Sequence, residues 1–226
     1  MKLYIGNKNY SSWSMRPWVL LTQAGIAFEE VRVRFDAFTP DSQFKTRLRS
    51  LSPAGKVPVL VDGELVVWDT LAIAEYLAER FPDHALWPRD MAARARARSL
   101  SAEMHSGFTR LRSFCPMNIE ANLPEAGALI WRDQPAVRAD VERLVVMWRQ
   151  CLDEHGGPML FGDFSVVDAF FAPVCTRLRT YALPLPADVA RYVQAVSELP
   201  GVKAWVAGAL AEKDFLESQE PYRLSR

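Results

Sequence analysis

Lys56-Val57-Pro58-Val59-Leu60-Val61-Asp62-Gly63-Glu64-Leu65-Val66-Val67-Trp68-Asp69-Thr70-Leu71-Ala72-Ile73-Ala74-Glu75-Tyr76-Leu77 holds two strand-like runs, a tight turn and the opening of a helix. Val57–Val61 and Glu64–Trp68 are rich in β-branched and aromatic residues, and Asp62-Gly63 lies between them. That dipeptide predicts a hairpin with a type I′ turn, whose two central residues need positive φ. Asp69 then starts a helix with Leu71, Ile73, Ala74, Leu77 and Phe81 on its apolar side, and Pro82 stops it. Upstream, Leu3-Tyr4-Ile5 closed by Gly6-Asn7 reads as a strand. Arg16 to Ala24 sets Trp18, Leu21 and Ala24 at helical spacing before Gly25. Phe28, Val31, Val33 and Phe35 suggest a second strand, and Asp41 to Leu51 a weaker helix. The order over residues 1–81 is βαβαββα. Its first half is a βαβ unit with parallel strands and a right-handed crossover. Its second half adds an antiparallel hairpin and a covering helix.

Downstream the pattern changes. Residues 82–89 form a linker with prolines near both ends. Residues 90–226 contain no convincing strand. Helical spacing runs over Met91–Phe114, Gln134–Glu154, Asp168–Tyr181, Ala187–Leu199 and Val202–Lys213, with Gly156-Gly157-Pro158 as a break. The expected fold class is therefore α/β plus all-α, with a small mixed-sheet domain followed by an all-helical one.

Composition narrows the function. The 226 residues are 50% apolar and 24% charged, which suits a globular protein and excludes a disordered chain, a collagen-like chain or a coiled-coil rod. Twenty-seven basic residues balance twenty-seven acidic ones. Neither nucleic acid nor an anionic membrane surface is an expected partner. The apolar runs fall short of the roughly 20 residues that a membrane span needs. With no leader-like pattern before the first strand, a cytoplasmic location is expected. Cys115, Cys151 and Cys175 form no CxxC pair, and His84, His105 and His155 form no HxH or HExxH pattern. No disulfide framework and no metal site are expected.

Four clusters could carry chemistry. Ser11-Ser12-Trp13-Ser14-Met15-Arg16 lies where a strand meets a helix. One serine suffices as a cap, and another hydroxyl there could donate to a thiolate beside the helix dipole. Lys56-Val57-Pro58 suits either a sharp strand entry or a cis bond that turns the Val57 backbone outward to pair with an extended ligand. Asp69-Thr70 could simply cap a helix. The pair also offers a carboxylate to an ammonium, and a hydroxyl with free N–H groups to a carboxylate, as an amino-acid head group requires. Ser165-Val166-Val167-Asp168 has capping-box spacing and a structural role.

In this order the clusters resemble the glutathione S-transferase superfamily, specifically its serine-type zeta-, tau- and theta-like members, over nearly the whole chain. The resemblance implies a thioredoxin-like N-terminal domain, an all-helical C-terminal domain, and a homodimeric cytosolic enzyme that uses glutathione as cosubstrate with no metal. It implies that Ser11 or Ser12 stabilises the glutathione thiolate. Ser11, five positions before Arg16, fits the zeta- and tau-like spacing and is preferred; Ser12 or Ser14 is then the cap. Val57 before cis Pro58 would pair with the cysteinyl unit, and Lys56 would lie near the glycine carboxylate. Thr70 would bind the γ-glutamyl carboxylate, with Asp69 near the ammonium. The thiolate would be transferred to a small electrophile between the domains. Glutathione-dependent cis–trans isomerisation of the maleylacetoacetate type and a non-catalytic scaffold are the alternatives. Trp13 stands where the isomerase pattern has cysteine. The Met104, His105, Phe108, Leu111, Arg112 and Phe114 stripe faces either the substrate pocket or the core, and is left out of the catalytic set.

Overall fold

The computed structural model describes residues 1–36 and 39–226. Four short strands, β1 (Lys2–Ile5), β2 (Glu29–Arg32), β3 (Val59–Asp62) and β4 (Leu65–Trp68), form one sheet in the order β2-β1-β3-β4. β1 and β2 are parallel, with Leu3 opposite Glu30, while β1–β3 and β3–β4 are antiparallel. Three helices accompany the sheet: α1 (Ser12–Gln23), α2 (Gln43–Arg49) and α3 (Thr70–Arg80). This is the thioredoxin-like half of the molecule.

The hairpin turn differs from the expected one. Asp62 pairs with Leu65, so the turn is centred on Gly63-Glu64, one residue later than predicted. Only Gly63 has positive φ there, at 60°. This is the glycine-first pattern of a type II′ turn, which needs one left-handed residue where type I′ needs two. β2 also stops at Arg32 rather than continuing to Phe35. The Val33 N–H still reaches the Ile5 carbonyl, but Asn7 Oδ1 takes the Phe35 N–H and ends the ladder.

The helical half comprises α4 (Met91–Ser106), α5 (Thr109–Phe114), α6 (Pro124–Asp133), α7 (Pro135–His155), α8 (Val166–Thr180), α9 (Ala187–Glu198) and α10 (Pro200–Glu212). The single helix expected over Met91–Phe114 is two. Gly107 caps α4, and Phe108 takes a left-handed φ of 53° before α5 begins. The Arg112 guanidinium folds back onto the His105 and Gly107 carbonyls at the break, 3.3 Å from each. Helix α6 was not expected. It contains Gly127, whose missing side chain lets the helix approach the Tyr181 carbonyl; a Cβ there would lie 1.7 Å from that oxygen.

Helix α8 is the centre of the molecule. It packs against α1, α4 and α9, and nearly every side chain along it is buried. One continuous core joins it to Leu3, Ile5, Leu20 and Leu60 of the sheet half. No helix among the described residues is long and apolar enough to cross a membrane. Asp168, in the first turn of α8, is fully buried and accepts four hydrogen bonds. The donors are the Leu160 and Ser165 N–H groups (3.2 and 3.0 Å) and the Ser165 and Tyr192 hydroxyls (3.4 and 3.0 Å). Replacing Asp168 by alanine strands these donors in a dry interior, so Asp168→Ala is expected to lose about 3 kcal/mol or more of folding stability. Urea denaturation followed by tryptophan fluorescence measures the loss.

Candidate functional site

The chain between β1 and α1 is polar yet buried. Asn7, Lys8, Asn9, Ser11, Ser12, Ser14 and Arg16 each expose less than a tenth of their surface. Buried polar groups need partners, and most of these find theirs in the helical half. The Trp205 indole donates to the Lys8 carbonyl, and the Lys8 ammonium meets Glu30 at 2.7 Å over the Trp18 ring. Asn9 bonds Asn118, and the Glu120 N–H reaches back to Asn9. A C-terminal segment completes the set. Asp214 accepts from Asn7 and Arg34, and Glu220 accepts from the Tyr10 hydroxyl at 2.6 Å and from Asn118 at 2.7 Å. Burial and the Glu220 bond push the Tyr10 phenol up to about 12. That phenol is therefore committed to a carboxylate.

The serines of the first turn divide their work. Ser11 is the cap of α1, correcting the expectation that Ser12 or Ser14 would be. Its Oγ accepts from the Ser14 N–H and shares a hydroxyl–hydroxyl hydrogen bond of 2.7 Å with Ser14 Oγ. Ser14 Oγ also accepts the Gly6 N–H and packs on the turn. Ser12 is the first residue of the helix. Its Oγ accepts from Arg177 Nη2 of α8 at 3.3 Å, and its own proton has no acceptor among the described residues.

Two adjoining cavities of about 530 and 590 Å³ share Trp13, Lys56, Val57 and Arg112 in their walls. The first reaches Ser11, Ser12, Lys45 and Arg177, and the second reaches Pro58, Asp69, Thr70 and His105. All seven residues singled out from the sequence as site candidates thus line one cleft. The Val57-Pro58 bond is cis. Asp69 caps α3 with φ at 76°, a conformation that costs a non-glycine residue roughly 1–3 kcal/mol. Its Oδ1 takes the Leu71 N–H, and its Oδ2 lies 3.2 Å from His105 Nε2. Thr70, buried beside it, has Oγ1 3.3 Å from His105 Nδ1. Of the stripe on α4 and α5, only His105 and Arg112 reach the cleft. Met104, Phe108 and Leu111 belong to the core.

The cleft is cationic. Lys45, Lys56, Arg112 and Arg177 line the first cavity, and among the described residues no Asp or Glu joins them. Behind them Arg16 and Arg112 both stack on the Trp13 indole, with guanidinium carbons 4.2 and 4.8 Å from the ring centroid. Burial, followed by repulsion from Arg177 and Arg112, lowers Arg16 to about 9. Burial and Arg112 lower Arg177 to about 10. Sequence reasoning missed Lys45 and Arg177. An arginine near the end of an apolar helix does not reveal which neighbour it faces. The cysteines are buried and lie outside the cleft; burial pushes Cys115 up to about 12 and Cys175 higher still. Among the described residues no group of three or more His, Cys, Asp or Glu side chains converges to hold a metal.

A thioredoxin-like sheet with a cis proline, a helix-capping acid–threonine pair and a serine-bearing first turn, set against a helical domain, is the architecture of a glutathione transferase. The chain belongs to the glutathione S-transferase family: the family's N-terminal domain matches residues 10–80 and its C-terminal domain residues 92–208. The chain is 31% identical to glutathione S-transferase 1 of Dianthus caryophyllus, over 76% of this chain and 75% of that one. It is 30% identical to a probable maleylacetoacetate isomerase of Caenorhabditis elegans, over 81% of each. A crystal structure of a glutathione transferase homolog from Burkholderia, with bound glutathione, superposes at a TM-score of 0.70 and 28% identity, over 93% of this chain and 98% of that one.

His105 gives the site a measurable pH signature. Burial lowers its proton affinity, the Asp69 carboxylate opposes that, and Arg16 and Arg112 add to the lowering. The ring is therefore neutral at pH 7. Since Asp69 can only accept, Nε2–H donates to it and Nδ1 accepts the Thr70 hydroxyl. His105 is expected to titrate below the ordinary 6.5 in an NMR pH titration. Asp69→Asn, which keeps the cap but removes the opposing charge, should move it lower still.

Proposed function

We propose that the cleft holds glutathione as its thiolate and delivers the sulfur to an electrophile lying against α5 and α8. Val57 would pair its backbone with the cysteinyl unit. Thr70 and Asp69 would take the γ-glutamyl head group, and Lys56 the glycine carboxylate. The observation that carries the reading is Ser12, whose hydroxyl lines the cleft at the start of α1 with an uncommitted proton. Ser11, the residue preferred on spacing, is tied to Ser14 by the cap and by a 2.7 Å hydroxyl pair. We therefore assign the thiolate to Ser12. A free thiol titrates at about 8.5, so a drop of about two units makes it mostly anionic at pH 7. That is about 2.7 kcal/mol of preference for the anion. One hydroxyl, a helix N-terminus and a cationic wall can supply it. We also read the chain as half of a homodimer. Leu65 and Trp68 on the edge strand β4 are exposed apolar surface that a second copy would cover.

The protein should be retained on immobilised glutathione and eluted by the free tripeptide. Ser12→Ala should raise the pKa of bound glutathione by about one unit or more, read from thiolate absorbance against pH. Ser11→Ala should move that pKa much less but cost about 1 kcal/mol of stability through the lost cap. The opposite pattern would return the role to Ser11.

Charge bears on the electrophile. Four cations line the first cavity, and the second adds only Asp69 as an acid. Glutathione bound as thiolate brings a net two negative charges, so positive charge remains on the helical wall. Arg112 there has guanidinium donors to spare beyond its two carbonyl bonds. An unsaturated carboxylic acid fits this wall better than a neutral electrophile. The similarity to a maleylacetoacetate isomerase favours the same kind of substrate, with addition and departure of the sulfur at one double bond. A charged hydrogen bond is worth about 1.5–3 kcal/mol. The acid should therefore beat its methyl ester by about tenfold or more in kcat/KM, after correction for uncatalysed rates, and Arg112→Gln should close the gap. Equal rates for acid and ester would mean a neutral electrophile.

A further inference from the structure

Arg177 is the least expected residue of the cleft. It sits in the last turn of the buried helix α8, is 5% exposed, and has no carboxylate partner among the described residues. Its guanidinium is held on three sides. Nε donates to the Cys115 carbonyl at 2.9 Å, Nη1 to the Pro173 carbonyl at 3.3 Å, and Nη2 to Ser12 Oγ at 3.3 Å. A guanidinium is planar and rigid, so two backbone carbonyls fix where the third donor points.

We infer that Arg177 is a positioning residue for the thiolate. By donating to Ser12 Oγ from behind, it leaves the single hydroxyl proton directed into the cleft, toward the glutathione sulfur.

The argument rests on the reading of Ser12 given above and adds the cause of its orientation. A serine hydroxyl has one proton and two lone pairs. In a free hydroxyl the proton turns to the nearest acceptor. Arg177 presents Ser12 with a donor and no acceptor, so the Ser12 proton must point elsewhere, and the open side is the cavity that both residues line. The arginine has no cysteine anion to serve, because burial holds the Cys115 thiol protonated.

The test is the titration of bound glutathione in a double-mutant cycle. Arg177→Gln is expected to raise the thiol pKa by about one unit, a tenfold loss of thiolate below that pKa. In a Ser12→Ala background the same change should raise it by less than about a third of that, because there is no hydroxyl left to orient. Arg177→Lys keeps the charge but loses the planar fork that spans two carbonyls and Ser12. It should also shift the titration, and it serves if the glutamine variant does not fold. An unmoved titration in Arg177→Gln or Arg177→Lys, or equal shifts with and without Ser12, would overturn the inference while leaving Ser12 its role. A titration that ignores Ser12→Ala would overturn both.

Discussion

Everything in the site depends on keeping a polar loop dry. Residues 7–14 leave β1 with amides, hydroxyls and an ammonium turned into the protein. Such groups are tolerated inside only when each meets a partner. The sheet half supplies few. The Trp205 indole, Asn118, Asp214 and Glu220 supply the rest, all from the helical half or the segment after it. The first turn is therefore framed by contacts far away in sequence, Arg177 on Ser12 among them. This differs from the hydrophobic packing of α1 on α8, which fixes the distance between the halves but not the direction of a hydroxyl.

The second organising feature is the use of uncompensated charge. Surface arginines such as Arg98 and Arg143 are paired with glutamates at 2.7–2.8 Å. Arg16, Arg112 and Arg177 are not; they rest on an indole or on carbonyl oxygens. Stacking and dipoles hold a guanidinium without neutralising it. The interior thus keeps a positive field next to the first turn of α1, where the helix dipole adds to it. An anion in the cleft meets both.

Much of this was legible in the chain. The hairpin and the helix after it were readable because period-two and period-3.6 patterns meet at one Asp-Thr pair. The cleft candidates were readable because Ser12, Val57 and Thr70 sit at the ends of elements, where backbone groups are free. What was not legible has physical reasons. The break at Gly107-Phe108 needs a left-handed phenylalanine, which residue type does not announce. Helix α6 carries a glycine whose use is a close approach to another helix. The arginine that meets Ser12 lies 165 residues away in sequence. Local spacing contains no term for that.

The span of these contacts has a consequence for how the protein is made. Asn7, Lys8 and Tyr10 are synthesised some two hundred residues before Trp205, Asp214 and Glu220, the groups they bond. A nascent chain can bring Glu30 to Lys8 and the Phe35 N–H to Asn7 early, yet the Trp205 and Glu220 partners of this loop follow some two hundred residues later. The frame of the first turn is thus complete only after α10 and the segment following it have been made. A fragment that stops before α10 would carry the serines without the frame that aims them.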